Sequence, residues 1–149
     1  MTGMAERFAP LDAERAAQWA RFVRPDRTFF PTYVGLVVEE VRAGYARIRL
    51  PDRPEVSQAA GFIHGGALAT LLDTVAVPAV GTFYDIQPEM VTVSMTVNFC
   101  GSIRGQDAIA EGWVEQGSKS LTFVRAEARG ADGELAATAS LEYRVRPRG

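Results

Sequence analysis

The chain has 149 residues, 47% hydrophobic and 23% charged, with a net charge of −2, which suits one domain with enough apolar material for a sizeable core. Charges of both signs are interspersed and no aromatic-studded basic stripe occurs, so a nucleic-acid partner is not expected. One cysteine, Cys100, excludes an intramolecular disulfide, and one cysteine with one histidine cannot close a zinc site, so no metal or cofactor is expected.

Residues 1–7 lack the apolar core of a secretory leader, and no uncharged apolar run approaches the ~20 residues of a membrane helix. A cytoplasmic protein without a membrane partner is the expectation. Residues 11–24 place Leu11, Arg15, Trp19, Phe22 and Val23 near one helical face, a short amphipathic helix stopped by Pro25. Phe29, Phe30, Pro31 and Tyr33 then read as an extended connector, so that residues 1–33 form an N-terminal helix and connector ahead of a domain over 34–149. From 35 to 50, a β-rich run bends at Ala43-Gly44 into the alternating Tyr45-Ala46-Arg47-Ile48-Arg49-Leu50, a hairpin or bulged strand pair. Residues 51–60 are a Pro-, Asp- and Ser-bearing loop.

The chain is organised around residues 61–80. Gly61-Phe62-Ile63-His64-Gly65-Gly66 is a glycine-rich turn, read as bending tightly at Gly65 and Gly66. It opens a helix that is apolar on nearly every face and must be buried. The uncovered first amides of such a helix suit an anion or a polarised carbonyl. Asp73 is the sole charge in the helix, and a lone carboxylate among Ala, Leu and Val costs several kcal/mol unless it is compensated. Pro78 predicts a kink or the last turn, and Gly81 supports termination. Four strands follow: residues 90–99, with Val91, Val93, Met95, Val97 and Phe99 on one face, then 107–116, 120–129 and 135–145 in a meander with short connections. One buried helix and these strands make an α+β domain in which helix and sheet hide each other's apolar faces. Cys100 reads as a packing cysteine.

The Gly61-x-x-His64-Gly65-Gly66 turn, the acid nine residues after the histidine and the strand Thr92-Val93-Ser94-Met95-Thr96-Val97-Asn98-Phe99 resemble the hotdog-fold acyl-CoA thioesterases of the phenylacetate-pathway (PaaI-like) type. The resemblance spans about residues 34–146. It implies a single hotdog domain, with an antiparallel curled sheet wrapped round one long central helix. It also implies a homodimer with shared active sites and a dimer-of-dimers tetramer. By position it makes Gly65 the carbonyl-binding amide, Asp73 the base or nucleophile, Thr92 the assisting hydroxyl and His64 the group orienting the carbonyl. Gln58 stands where many relatives carry Asn, and with Gly66 and Arg104 it is a candidate substrate contact. The segment Cys100-Gly101-Ser102-Ile103-Arg104 lacks the Arg-Pro often found after the strand.

The chemistry also follows from the residues. Thioester hydrolysis needs a donor for the developing oxyanion and a base for water, while thiolate leaves readily. The helix start and Asp73 answer those needs. A non-catalytic acyl-CoA binder is the alternative reading. A hotdog dehydratase, which pairs Asp with a histidine five residues later, is disfavoured because Ala59 holds that position before His64.

Overall fold

The computed structural model describes residues 3–148. An N-terminal 3-10 turn, Met4–Arg7, precedes helix α1, Ala13–Ala20, which Asp12 caps by accepting the Arg15 N–H at 2.9 Å. The helix is shorter than the sequence pattern predicts and ends well before Pro25. Its one buried residue is Trp19. The predicted connector is a helical turn rather than an extended segment: α2, Phe30–Val34, carries Pro31 in its first turn and ends at Gly35 with φ 83°. Proline there sacrifices an N–H that has no partner within the helix and presets φ, which is why it starts this helix instead of forbidding it.

The hairpin forms as expected. Strands β1, Val37–Arg42, and β2, Tyr45–Leu50, pair antiparallel through the Ala43-Gly44 turn, with a bulge between Val38 and Glu40. A 3-10 turn at Pro54–Val56 then leads to the central helix α3, Gly65–Phe83. That helix runs five residues beyond Pro78 and passes through Gly81. Gly81 serves close packing, because a Cβ on it would lie 2.4 Å from the Trp19 ring. Length and hydropathy alone would let α3 cross a membrane, which the reading of apolar runs did not anticipate. In this fold 61% of its most apolar 18-residue window is buried.

The remaining strands are β3, Glu89–Phe99, β4, Ala108–Gly117, β5, Leu121–Gly130, and β6, Leu135–Arg146. All pair antiparallel in one six-stranded sheet of order β1-β2-β4-β5-β6-β3. The meander holds for β4, β5 and β6, but β3 lies beside β6 and not β4, so the chain crosses the sheet between β3 and β4. The sheet's concave face carries Ile48, Leu50, Ala110, Val124, Ala126, Leu141 and Val145 onto Leu68, Leu71, Leu72, Val75 and Val80 of α3. Gly112 of β4 lets helix and sheet approach, since a Cβ there would come within 2.9 Å of Val75. This sheet curled round a long helix is the hotdog architecture.

Strand β3 departs from simple alternation. Its register shifts between Thr92 and Ser94, which leaves Val91 and Val93 58% and 52% exposed. Met90, Thr92, Met95 and Val97 are the partly buried positions. Thr92 and Met95 are three residues apart, and two residues at that spacing share a face only if an extra residue bulges between them. Cys100, just past the strand, is exposed rather than packed.

Candidate active site

The loop before α3 is built by its own short-range bonds. Gln58 Oε1 accepts the Ala60 N–H at 2.6 Å, and the Gly61 N–H bonds the Gln58 carbonyl at 2.9 Å. Gly61 has φ 83°, so it is the glycine that makes the tight turn. Gly65 and Gly66 are helical, contrary to the expectation that they bend the chain. Arg104 stacks over the Phe62 ring at 4.2 Å and donates to the Ala60 carbonyl, which pins the loop from the far side. Gln58 and Arg104 thus hold the loop in shape in the structure of one chain.

His64 is the N-cap of α3. Its Nδ1 accepts the Gly66 N–H at 2.8 Å, and its carbonyl accepts from Ala67 and Leu68. The exposed imidazole therefore occupies one of the helix's first amides. Among the described residues the Gly65 N–H has no hydrogen-bond acceptor. The two glycines differ in their surroundings. A Cβ at Gly66 would meet His64 Nδ1 at 3.0 Å, whereas one at Gly65 would make ordinary 3.5 Å contact with the Phe99 ring. The turn thus presents one amide, on Gly65, with the partial positive charge of the helix terminus behind it and an aromatic ring beside it.

Asp73 lies two turns into α3. It is half-buried in the single chain, not fully buried as the apolar helix suggests. Thr92 Oγ1 donates to Asp73 Oδ1 at 2.9 Å. The Tyr143 hydroxyl lies 3.2 Å from the same oxygen and 3.1 Å from the Asp73 main-chain carbonyl, its single proton serving one or the other. Thr92 and Tyr143 face each other directly across β3 and β6. Tyr143 is 2% exposed. Burial first, and then the Asp73 charge, push its phenol well above the ordinary tyrosine value, so it stays protonated and remains a donor. With Oδ1 fixed by hydroxyls, Oδ2 has no hydrogen-bond partner among the described residues. An oriented carboxylate with one free oxygen can accept a proton from water.

Thr92 and Asp73 are brought together as the sequence suggested, while Gly65 and Asp73 are not. Eight residues separate these two along α3, a rise of about 12 Å. Tyr143 was missed. Its signal was a bulky polar residue in the core-facing series of β6, among Ala137, Ala139, Leu141 and Val145, where a hydroxyl needs a partner. Among the described residues no cluster of His, Cys, Asp or Glu could hold a metal ion.

Residues 60–137 match the Thioesterase superfamily, and the chain belongs to that superfamily. A protein of Saccharolobus solfataricus, provisionally named an esterase, is 26% identical over 118 residues, covering 79% of this chain and 82% of that one. Two solved structures share the fold. A thioesterase family protein from Silicibacter pomeroyi superposes with a TM-score of 0.78 at 24% identity, covering 89% of this chain and 98% of that one. A conserved protein from Pseudomonas aeruginosa gives 0.75 at 21% identity, covering 91% and 99%. Superfamily membership supports thioester hydrolysis as the chemistry.

Proposed function

We propose that the protein hydrolyses acyl-CoA thioesters, aroyl, phenylacetyl or medium-chain, in the manner of the PaaI-like enzymes. The observation that carries this reading is the Asp73 carboxylate, held on one oxygen by Thr92 and Tyr143 and open on the other. Asp73 Oδ2 takes a proton from water, and the resulting hydroxide attacks the thioester carbon. The carbonyl oxygen becomes an oxyanion bonded to the Gly65 N–H. The C–S bond then breaks, CoA leaves as a thiolate, and the proton on Asp73 returns to it.

The 12 Å between Gly65 and Asp73 on one helix is too long for a single carbonyl carbon and its oxygen. Each site therefore draws the amide from one subunit and the carboxylate from another, in a two-fold dimer. β3 is an edge strand with an unpaired side, and it carries Thr92 and the exposed Val91 and Val93. An unpaired edge of that length is a natural place for a second copy to add. Dimers of such dimers complete the assembly we favour.

Release of thiol from a panel of acyl- and aroyl-CoA thioesters tests the chemistry; saturable binding without turnover would make the protein an acyl-CoA binder instead. Mixed dimers of Gly65→Pro and Asp73→Ala chains, each inactive alone, test the shared site. One of the two sites then carries both lesions and the other carries none, so random pairing restores about a quarter of wild-type activity. Mixed dimers verified by mass that stay inactive would exclude the sharing.

A further inference from the structure

A cleft of about 500 Å³ opens where α1 and the segment after it meet α3. Trp19, Phe22 and Phe29 give it aromatic walls, and Val77 of α3 contributes to its floor. Val77 and Asp73 are both partly exposed on the open face of α3. They are four residues apart, about 6 Å along the axis, so the cleft begins one turn from the candidate base.

The charge of the cleft is one-sided. Four arginines line it, Arg21, Arg24, Arg27 and Arg148, and none of the ten described lining residues is acidic. Arg24 Nε lies 2.9 Å from Asp26 Oδ1 but off the hydrogen-bonding line, so this buried N–H has no acceptor. Arg27 packs over the Phe29 ring at 5.2 Å. Neither Arg21 nor Arg27 forms an ion pair among the described residues. Aromatic faces beside unneutralised guanidinium groups suit a flat apolar body that carries an anion.

A thioester of CoA offers two such anions, a carboxylate at the far end of the acyl group or the phosphates of the nucleotide. Their distances from the reacting carbon differ. The whole pantetheine arm separates the sulfur from the nearest phosphate, whereas an aryl or short acyl group spans only the turn or two between Asp73 and the cleft. We propose that the cleft selects acyl groups ending in a carboxylate, with the arginines binding that carboxylate and Trp19, Phe22 and Phe29 holding the carbon skeleton. This deepens the thioesterase reading and rests on Asp73 as its catalytic centre.

The test compares benzoyl-CoA with 4-carboxybenzoyl-CoA, in the wild type and in Arg27→Gln. The carboxylated substrate should have a kcat/KM at least about tenfold higher, and Arg27→Gln should remove most of that advantage. A titration with free 1,4-benzenedicarboxylate reads the cleft without any turnover; it should bind more tightly than benzoate, and Arg27→Gln should abolish the difference. Dicarboxylate binding in a protein that turns over neither thioester would overturn hydrolysis and leave the cleft assignment standing. Equal kcat/KM for the two substrates together with equal binding of the two acids would overturn the cleft. So would an equal loss for both substrates in Arg27→Gln that disappears when the CoA moiety is shortened to pantetheine, which would place the phosphates of CoA there.

Discussion

The start of α3 and its third turn solve opposite problems. At the start, the turn that shapes the Gly65 amide is built mostly from nearby in sequence, by the Gln58 turn, Gly61 with its positive φ and the His64 cap, with Arg104 bracing the loop and the Phe99 ring flanking Gly65 from farther along the chain. At the third turn, Asp73 is placed by Thr92, 19 residues on, and by Tyr143, 70 residues on. A locally built feature leaves a compact motif in the sequence. A carboxylate fixed across three elements leaves only itself in the residue pattern; Thr92 was named through the family resemblance, and Tyr143 becomes visible only when the sheet folds. The comparison also separates two roles within one motif, since the histidine occupies the Gly66 amide and leaves the neighbouring one open.

The largest effect should come from removing the group that accepts the proton. Asp73→Asn keeps the shape and the hydroxyl contacts, so kcat should fall by about 10² or more with KM little changed, as read by thiol release. Near-normal turnover would break the comparison at its second half. Gly65→Pro attacks the first half. Proline suits the first helical position, and His64, with φ −64° and ψ 137°, already has the extended backbone that precedes proline. The substitution thus removes one N–H with little strain, and kcat should drop by about 10² to 10³. A folded Gly65→Pro enzyme with wild-type kcat would remove the helix start from the reaction.

Tyr143→Phe sharpens the second half. One hydroxyl lost from the Asp73 cluster should cost about 1 kcal/mol, a severalfold fall in kcat. This variant also carries a pH signature. The folded protein holds the Tyr143 proton more tightly than the unfolded chain, and the same is true of Tyr45, which is buried and donates to Glu111 at 2.5 Å. Above pH ~10 the unfolded tyrosines lose protons that the folded ones keep, so stability is intact below that pH and falls as pH rises. The slope is about 1.4 kcal/mol per pH unit for each tyrosine. Thermal midpoints between pH 9 and 11.5 should fall less steeply in Tyr143→Phe, and an unchanged slope would contradict the assignment. The smallest effect should be that of His64→Ala. Loss of the cap should cost about 1 kcal/mol and lower the melting midpoint by roughly 2–4 °C, with a smaller change in kcat than Gly65→Pro causes.

Much of the fold was legible because the patterns were regular: the apolar run of α3, the Ala43-Gly44 hairpin and the β4–β6 meander. The failures have local causes. Alternation along β3 put Val91 and Val93 on the same face as Met95 and Val97 because a single-residue bulge leaves no mark in hydrophobicity. Gly81 was read as a stop because close packing and termination call for the same residue. Proline at the start of α2 was read as a break although it favours a first turn. In the site, Asp73 stood out by its charge and Gly65 by its motif, whereas Tyr143 was hidden among core-facing positions and the arginine cleft is assembled from segments with no shared motif.

The contact between Trp19 and Gly81 separates two properties that enzymes often find hard to change independently. A single missing methyl group sets how closely α1 seats on the far end of α3, and so how wide the cleft stands. Asp73, Thr92 and Tyr143 are anchored elsewhere, by the sheet. Drift at position 81, or at the aromatic residues of α1, would therefore resize the cleft proposed above for the acyl group while the carboxylate and its hydroxyls keep their positions. An N-terminal helix resting on one glycine is thus a route by which a lineage could change substrates without rebuilding its chemistry.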